Sequence, residues 1–283
     1  MQLWIIYSKK YDTAQQHITT LNMCKAAEKY NIEYELKFSH HFDIKDNVLY
    51  YKNEAIQNLP KVALIRGYNN ALMDYLEKHG TVLVNKFKGV NIARDKYLTF
   101  KFAKENNIKQ PDTLSLDNQN FTEIKKILGI PFVLKDRNGS RGEKCFLISN
   151  SMDFLNIIEK YKDTSFIIQK YIEGSKGKDA RIYIVGEKIV DCILRESENS
   201  DFRSNLNLGG KARKYAIPEE IKNQAIAIAK KLDLSIVSVD YLIDKGKYIL
   251  CEINTNAGFI AFKKLGYNMQ DIIMNFIKNK YFK

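Results

Sequence analysis

Residues 235–256 read SIVSVDYLIDKGKYILCEINTN, two largely apolar runs joined by a short basic turn. Apolar side chains recur at alternate positions in both runs, and this period of two predicts an antiparallel hairpin. The loop is predicted to contain three residues: Lys245, Gly246 and Lys247. This register pairs Asp240 with Glu252 and puts Asn254 on the same face. Cys251 then lies on the opposite, apolar face, whereas a two-residue loop would mix the two sets.

The polar end of the predicted hairpin carries three oxygen-bearing side chains, Asp240, Glu252 and Asn254. Two carboxylates and an amide oxygen are hard ligands that suit Mg²⁺, which completes its coordination with water and phosphate oxygens. The alternative is a solvated polar face with no bound ion. Spacing alone leaves both interpretations open.

The sequence before residue 90 alternates strand patterns with helix patterns. Its predicted strands are QLWIIYS, YELKF, KVALIRG and TVLVN, and its predicted helices cover residues 12–30 and NNALMDYLEKHG. This alternation is typical of a parallel α/β layer.

Antiparallel patterns dominate after residue 110. PFVLKD and EKCFLIS read as two strands around the turn RNGSRG, and ARIYIVGEKIVDCILRE reads as a hairpin with Gly-Glu at its turn. Helices are predicted for VNIARDKYLTFKFAKENNI, residues 152–161 and IPEEIKNQAIAIAKKLDL. The predicted fold class is therefore α/β plus α+β, a parallel N-terminal layer followed by antiparallel sheet.

The composition is that of an ordinary globular protein. The chain has 283 residues, 45% hydrophobic and 28% charged, and no apolar run approaches the ~20 residues of a membrane span. Its four cysteines are widely spaced, with no C-x-x-C and no paired histidines, which argues against zinc and disulfides. With no signal-peptide pattern at the start, we expect a reducing cytoplasm. A net charge of +12 fits either an anionic partner or lysines scattered over the surface. The sequence favours scattered lysines, because it has no dense basic block or RNP-like aromatic signature that would indicate nucleic-acid binding.

One lysine stands out because it lies inside an apolar strand. Lys135 in PFVLKD is unusual unless its ammonium group meets an anion. The turn that follows offers glycines and backbone N–H groups that can cover phosphates, although no G-x-x-x-x-G-K-[ST] motif occurs. Taken singly, Lys96 and Arg203 are more typical of surface cations. Three further cations, Arg66, Arg181 and Arg195, are candidates for holding a substrate carboxylate, and Arg181 is the strongest of them.

Six short motifs occur in order along the chain: ARDKYLT, PFVLKDRNGSRG, FIIQKYIEGSKGKDARIYIVGEKIV, DFRSNLNLGGKA, VSVDYLI and CEINTNAGF. This series resembles the ATP-grasp carboxylate–amine ligases, most closely the RimK-type branch that attaches glutamate to a protein or peptide. The resemblance extends from about Arg66 to the C-terminus, and it implies an ATP-grasp fold whose two antiparallel-sheet subdomains clasp ATP. The implied units are an N-terminal α/β domain at 1–90, a central subdomain with a phosphate-covering loop at 91–173, and a C-terminal subdomain with the Mg²⁺ site at 174–283.

The resemblance also assigns roles to individual positions. The implied nucleotide contacts are the phosphate lysines Lys96 and Lys135, the lid residues Ser140, Arg141 and Gly142, the adenine linker Gln169, Lys170, Tyr171 and Ile172, and Asp179 near the ribose. The implied catalytic set is Arg203 at the transferred phosphate, Asn205 beside it, and Arg181 as the candidate for the substrate carboxylate. The implied metal ligands are Asp240, Glu252 and Asn254, and the implied cofactors are ATP and two Mg²⁺ ions, with Mn²⁺ as a substitute.

Three departures from the family pattern concern the substrates. Lys170 stands where the family usually has a glutamate in the adenine linker, and Asn207 and Leu208 replace a His-Arg pair of the glutamate-adding member. The segment TNAGF replaces a Ser-Pro segment. The nucleotide site survives these changes, but the identity of substrate and acceptor does not follow from the resemblance.

The function implied is an ATP-dependent ligase that makes an amide through an acyl phosphate and releases ADP. Its expected partners are ATP, an amino acid such as glutamate, and a peptide or protein acceptor, for which the basic charge favours an acidic one. A ligase for small molecules and a nucleotide-binding regulatory module without catalysis are the alternatives. A homo-oligomer stays open, nucleic acid is the least favoured partner, and no membrane is expected.

Overall fold

The N-terminal segment forms a parallel sheet, as the alternation of strand and helix patterns predicts. The computed structural model describes residues 2–13, 17–117, 120–140, 142–198, 201–204 and 210–282. The N-terminal elements are β1 Leu3–Tyr7, α1 Ile18–Lys29, β2 Tyr34–Phe38, β3 Phe42–Lys45, β4 Val48–Tyr51, β5 Glu54–Ala55, β6 Val62–Arg66, α2 Asn70–Lys78 and β7 Val82–Leu83. The parallel sheet has the order β2-β1-β6-β7, and β3-β4-β5 form a small antiparallel sheet that was not predicted.

The first helix begins later than the sequence pattern suggests. The prediction from residue 12 is wrong, because α1 begins at Ile18 with His17 as its N-cap. The His17 side chain accepts a hydrogen bond from the backbone N–H of Thr19 at 3.1 Å. A side chain that satisfies a free N–H group in the first turn fixes where a helix starts.

A second, antiparallel sheet occupies the middle of the chain. Its elements are α3 Phe87–Arg94, α4 Lys96–Glu105, β8 Thr113–Ser115, α5 Phe121–Leu128, β9 Phe132–Asp136, β10 Cys145–Ile148, α6 Ser151–Lys160 and β11 Phe166–Lys170. The strand order is β10-β9-β11-β8, with the predicted pairing of β9 and β10. The helix predicted as continuous across Asp95 is divided there, because the Asp95 side chain caps α4.

The C-terminal part forms a five-stranded antiparallel sheet. Its elements are β12 Lys178–Val185, β13 Lys188–Glu196, β14 Lys211–Lys214, α7 Glu219–Lys231, β15 Ile236–Asp244, β16 Lys247–Asn254, α8 Ile260–Lys264 and α9 Met269–Tyr281. The strand order is β14-β13-β12-β15-β16, and the β12–β13 hairpin turns at Gly186-Glu187 as predicted. The predicted α/β plus α+β class is therefore confirmed.

The β15–β16 hairpin has the predicted pairing at its far end but not at its turn. Asp244 pairs with Lys247, so the loop contains two residues and the predicted three-residue loop is wrong. The register shifts between Asp240 and Tyr241, which inserts one extra residue into β16, and Asp240 again pairs with Glu252. A β-bulge opposes two residues to one on the partner strand. Cys251 consequently lines the cavity described below together with Glu252, not the apolar core as predicted.

The hydrophobic core is shared between the first and last sheets. One cluster joins Trp4 and Ile6 of the parallel sheet to Ile182 and Val239 of the five-stranded sheet. The central sheet instead packs with α5 and α6 around a cluster of its own, which includes Phe132. The predicted domain limits at residues 90 and 173 remain predictions. No helix in the described ranges has the length and apolar character needed to cross a lipid bilayer.

Candidate active site

A cavity of about 1460 Å³ is lined by side chains from the parallel, central and five-stranded sheets. Thirteen of the predicted site residues line it: Lys96, Lys135, Ser140, Gly142, Gln169, Lys170, Tyr171, Ile172, Asp179, Arg181, Arg203, Glu252 and Asn254. Asp240 is buried behind them and is not part of the lining. The predictions for Arg141 and Asn205, and the departures at Asn207 and Leu208, lie outside the described residues. The fold thus brings together residues that are distant in sequence.

The turn between β9 and β10 arches over one side of the cavity. The backbone N–H of Asp136 donates to Lys144 O at 2.9 Å, which closes the turn at its base. Gly139 approaches Asp136 so closely that an added Cβ atom would lie 2.8 Å from the Asp136 Cβ atom. Gly142 has a φ of 73°, in the region that favours glycine. The turn therefore needs both glycines to keep this shape.

Lys96 is fixed at the N-terminus of α4, directly beneath that turn. The Asp95 carboxylate accepts hydrogen bonds from the N–H groups of Tyr97 and Leu98, at 2.9 and 3.0 Å. It also forms a salt bridge with Arg137 of the turn at 2.7 Å. The Lys96 ammonium group donates to Gly139 O at 2.5 Å. One carboxylate therefore caps the helix and positions the turn against Lys96.

Lys135 extends from β9 toward the side of the cavity that carries Asp179 and Glu252, called the acidic wall below. No carboxylate of the described chain forms a salt bridge with it, although Glu252 and Asp179 lie near enough to act on it electrostatically. The pKa of Lys135 lies above its ordinary value: burial lowers it, but electrostatic interactions with Cys251, Cys145, Glu252 and Asp179 raise it by more. Burial also raises the pKa of Cys251, to about 12, so this thiol carries no charge at neutral pH. Lys135 is therefore a charged ammonium group at the cavity surface.

The acidic wall contains a buried network of two carboxylates and two guanidinium groups. Arg181 pairs with Asp240 across β12 and β15, and Arg195 pairs with Asp179 across β12 and β13. Arg181 donates to Asp240 at 2.8 and 2.6 Å. Arg195 donates to Asp179 at 2.7 and 2.5 Å and to Asp240 at 2.8 Å. Arg181 and Arg195 are therefore not the spare cations that the sequence analysis proposed.

This network determines the ionisation of its members. Burial raises the pKa of Asp240, but Arg181 and Arg195 more than offset that effect, so the pKa lies below its ordinary value. Burial lowers the pKa of Arg195, and Asp179 and Asp240 raise it above the ordinary arginine value. The network is neutral as a whole, with two positive and two negative charges. The Ser204 hydroxyl donates to Asp179 at 2.6 Å, so both carboxylate oxygens of Asp179 already accept hydrogen bonds from the protein.

Glu252 and Asn254 differ from Asp240 in that both line the cavity. Within the described residues, Glu252 has no salt-bridge partner. In the orientation that satisfies both ends of its amide, Asn254 donates to Glu252 at 3.1 Å and accepts from Arg181 at 3.3 Å. The Glu252 carboxylate, which no cation of the described chain pairs with, fits Mg²⁺. Asn254 Oδ1 and Asp240 could each bind a cation only by giving up a contact with a guanidinium group.

Arg203 connects the five-stranded sheet to the turn over the cavity. Its guanidinium group is held by Asp201 at 2.7 Å and donates to Gly142 O, also at 2.7 Å. It also lines the cavity. The residue is therefore placed where it can touch both the turn and an anion beneath it.

The predicted adenine linker lies at the end of β11. Gln169 is buried and donates from Nε2 to the Thr113 hydroxyl at 2.9 Å. The backbone N–H of Lys170 donates to Asp112 O at 2.9 Å, while its side chain is exposed. Tyr171 and Ile172 continue along the cavity wall.

The opposite end of the cavity contains polar groups that the sequence analysis largely missed. Arg66 Nη1, Tyr7 Oη and Asn256 Oδ1 are buried atoms without a hydrogen-bond partner in the described chain. All three residues line the cavity. Arg66 was considered the weaker candidate, because sequence alone gave no sign that Arg181 and Arg195 are occupied by Asp240 and Asp179.

A group of possible metal ligands lies outside the cavity, at the carboxyl ends of β1 and β2. Asp12 Oδ2 is 2.8 Å from His41 Nε2 and 3.3 Å from His40 Nε2. The prediction that the chain contains no paired histidines is therefore wrong for His40 and His41. The geometry is that of a shared ion pair near the surface, and none of the three residues lines the cavity.

Comparison with known proteins supports the family resemblance. Residues 93–277 match the model of the RimK-like ATP-grasp domain. Human N-acetylaspartylglutamate synthase A is 30% identical over 82% of this chain, which spans 64% of the length of that relative. A probable alpha-L-glutamate ligase of Legionella pneumophila (strain Corby) is 27% identical over 78% of this chain and 76% of its own length.

A solved structure shows the same fold. The RimK domain protein ATP-grasp from Sphaerobacter thermophilus superposes with a TM-score of 0.74 at 15% sequence identity. The superposition covers 98% of this chain and 99% of that one. The predicted ATP-grasp fold is therefore confirmed.

Proposed function

Because the chain belongs to the RimK-like ATP-grasp family, we propose that it is an ATP- and Mg²⁺-dependent carboxylate–amine ligase. The observation that carries this proposal is the arrangement of charges around one cavity. Three cations, Lys96, Lys135 and Arg203, line the cavity on or beside the turn, and the Glu252 carboxylate lines the same cavity. This arrangement suits a triphosphate bound through a divalent ion.

The proposed reaction has two steps. A substrate carboxylate oxygen attacks the γ-phosphorus of ATP, the bond to the β,γ-bridging oxygen breaks, and ADP leaves. An amine nitrogen then attacks the acyl carbon, phosphate leaves with the electrons of the C–O bond, and the nitrogen loses a proton. The main barrier is electrostatic, since an anionic nucleophile approaches an anionic triphosphate.

The residues of the cavity meet that barrier in distinct ways. Lys96 and Lys135 would hold the phosphates, and Arg203 would reach the transferred group from beneath the turn. Glu252 and Asn254 would hold Mg²⁺, which supplies charge neutralisation on the phosphate oxygens when bound. Asp240 would fix the position of Arg181 and, with it, the amide of Asn254. None of these steps needs a covalent nucleophile from the protein.

Glutamate is the proposed amino-acid substrate, because the names of both relatives above contain it. A peptide or protein with acidic residues is the proposed acceptor, since exposed lysines line the cavity mouth: Lys10, Lys25 and Lys263. A ligase that joins glutamate to a small carboxylic acid is the second candidate. It is favoured by the name of the human relative, whose product is a small molecule.

The test measures nucleotide binding first and turnover second. Saturating Mg-ATP should raise the melting temperature, because binding at 100 times Kd adds about 2.7 kcal/mol to the stability of the folded state. ADP release should then require glutamate together with an acidic peptide or a small carboxylic acid, which separates the two candidates. No shift with Mg-ATP, or AMP as the product, would contradict the proposal.

A further inference from the structure

The end of the cavity beyond Asn254 contains a buried cation without an anion. Arg66 is 8% exposed, and in the described chain no carboxylate forms a salt bridge with it. Its Nη2 atom donates to Ala257 O at 3.0 Å, and its guanidinium group lies 4.7 Å from the centre of the Phe259 ring. The Tyr183 hydroxyl beside it is neutral, since burial raises the pKa of Tyr183. A buried guanidinium group that is left without an anion is costly, which points to a ligand as its counter-ion.

The position of Arg66 in the sheet is one where ligands bind. Arg66 ends β6 and pairs with Tyr7 at the end of β1. The strand order β2-β1-β6-β7 reverses between β1 and β6, and the carboxyl ends of strands at such a reversal form a crevice for ligands. Tyr7 Oη is buried there without a partner. Burial raises the pKa of Tyr7, so the hydroxyl stays protonated and can donate.

Asn256 adds an acceptor to these two donors. Its Nδ2 atom donates to Gly67 O at 3.2 Å, and since a carbonyl oxygen can only accept, this bond fixes the orientation of the amide. The Oδ1 atom is therefore the one without a protein partner, and it can accept from a donor of a ligand in the cavity. Asn256 is two residues from Asn254, so their Cα atoms are at most about 7 Å apart.

We propose that Arg66, Tyr7 and Asn256 bind the head group of a free α-amino acid, whose amine is the nucleophile of the ligation. The carboxylate of the amino acid pairs with Arg66 and accepts from the Tyr7 hydroxyl. The amino group donates to Asn256 Oδ1, within reach of the wall that carries Glu252 and Asn254. A phosphate dianion fits less well, because this end has one buried guanidinium group and an acceptor that would face the phosphate oxygens.

This inference rests on the proposed ligase function for the role of the amine, but not for the binding itself. It assigns the α-carboxylate of the amino-acid substrate to Arg66 and Tyr7 and its α-amine to Asn256. In this pose the side chain of the bound amino acid points away from Arg66, Tyr7 and Asn256. These three residues therefore recognise any α-amino acid, and other contacts select among amino acids.

The test measures binding of the twenty proteinogenic L-amino acids, one at a time, to protein saturated with Mg²⁺ and a non-hydrolysable ATP analogue. At least one should bind, and its α-amide and its decarboxylated amine should each bind at least about 30-fold more weakly, because each leaves the Arg66 charge unpaired. Binding of none of the twenty, or equal binding of the α-amide, would overturn the proposal.

Tyr7→Phe is the sharpest variant, because it removes only an unpartnered hydroxyl. It should weaken amino-acid binding about 10-fold or more and leave the melting temperature unchanged or higher. Tyr241→Phe is the matched control: that hydroxyl donates to Gln224 at 3.1 Å away from the cavity, so the variant should lose stability and keep amino-acid binding. Wild-type affinity in both Tyr7→Phe and Arg66→Met would overturn the subsite.

The two proposals fail in different ways. Amino-acid binding that depends on Arg66 and Tyr7, without ADP release for any acceptor, would remove the ligase and keep the subsite. ADP release with an unchanged KM for the amino acid in Arg66→Met would remove the subsite and keep the ligase. Mg-ATP affinity should be the same in wild type and both variants, which shows that each variant is folded.

Discussion

At the scale of single residues, the acidic side chains of the site divide into two kinds. Asp240 is 1% exposed and receives three hydrogen bonds from Arg181 and Arg195, so its charge is already neutralised by the protein. Glu252 lines the cavity and has no salt bridge among the described residues. The sequence analysis treated the two carboxylates as equivalent. The structure predicts that they respond differently to the loss of charge.

Glu252→Gln should reduce turnover by at least about 100-fold, because Mg²⁺ would lose an anionic ligand and would neutralise the charge on the phosphate oxygens less well. The unfolding free energy should stay within about 0.5 kcal/mol of wild type, since Glu252 forms no salt bridge in the described chain. Asp240→Asn is the control and should cost about 3–5 kcal/mol, because it leaves Arg195 and Arg181 short of an anion. Urea unfolding and ADP release measure both effects. Equal destabilisation by the two variants would show that Glu252 is structural.

Lys135→Met should weaken Mg-ATP binding by about 10- to 100-fold, because a charge-assisted contact to a phosphate is lost. The fold should be kept, since the methionine side chain retains the apolar stem and Lys135 forms no salt bridge in the described chain. Isothermal titration with Mg-ATP is the measurement. Wild-type affinity would mean that the ammonium group does not face the nucleotide.

At the scale of elements, two local devices bring side chains to the cavity. The bulge in β16 compensates for the two-residue turn, so that Glu252 still pairs with Asp240 and lines the cavity. The start of α4, where Asp95 caps the helix, places Lys96 beneath the turn between β9 and β10. Both devices are irregularities in otherwise regular elements.

Asp95→Ala and Asp95→Ser separate the two roles of Asp95. Alanine removes the helix cap and the Arg137 contact, and it should cost about 1–2 kcal/mol. Serine keeps a capping oxygen, so its loss of stability should be smaller by about 1 kcal/mol. Both variants release Arg137 and should weaken Mg-ATP binding to the same extent. A serine variant with wild-type ATP affinity would show that the Arg137 contact does not position the turn.

At the scale of the whole molecule, two clusters of the core tie the parallel sheet to the five-stranded sheet, while the central sheet has a cluster of its own. The cavity therefore lies between a larger packed body, which contains the parallel and five-stranded sheets, and a smaller one, the central sheet with the turn between β9 and β10. Arg203 and Lys96 link the turn to neighbouring elements by contacts to backbone carbonyl groups. Such contacts can be exchanged for contacts to a ligand.

Buried thiols make stability fall in alkaline solution. Burial raises the pKa of Cys192 to about 11 and that of Cys251 to about 12. The unfolded chain releases these protons at lower pH than the folded protein, so the unfolding free energy should decrease as pH rises above about 9. Urea unfolding at pH 7, 9 and 10 measures the slope. Cys192→Ala together with Cys251→Ala should flatten it, and an unchanged slope would contradict the assignment.

The sequence by itself determined the kinds of structure and the family, whereas the tertiary structure decided which charges are free. Three features could be read from the chain: the alternation of strands and helices, the order of the six motifs, and the pairing of Asp240 with Glu252. Local periodicity fixes which face of an element a residue occupies. The two-residue turn and the bulge in β16 could not be predicted, since the alternation of apolar and polar residues does not indicate where a register shift occurs. The pairing of Arg181 with Asp240 and of Arg195 with Asp179 depends on which strands are neighbours in the sheet. With Arg195 paired in this way, Arg66 is the buried arginine of the described residues that forms no salt bridge.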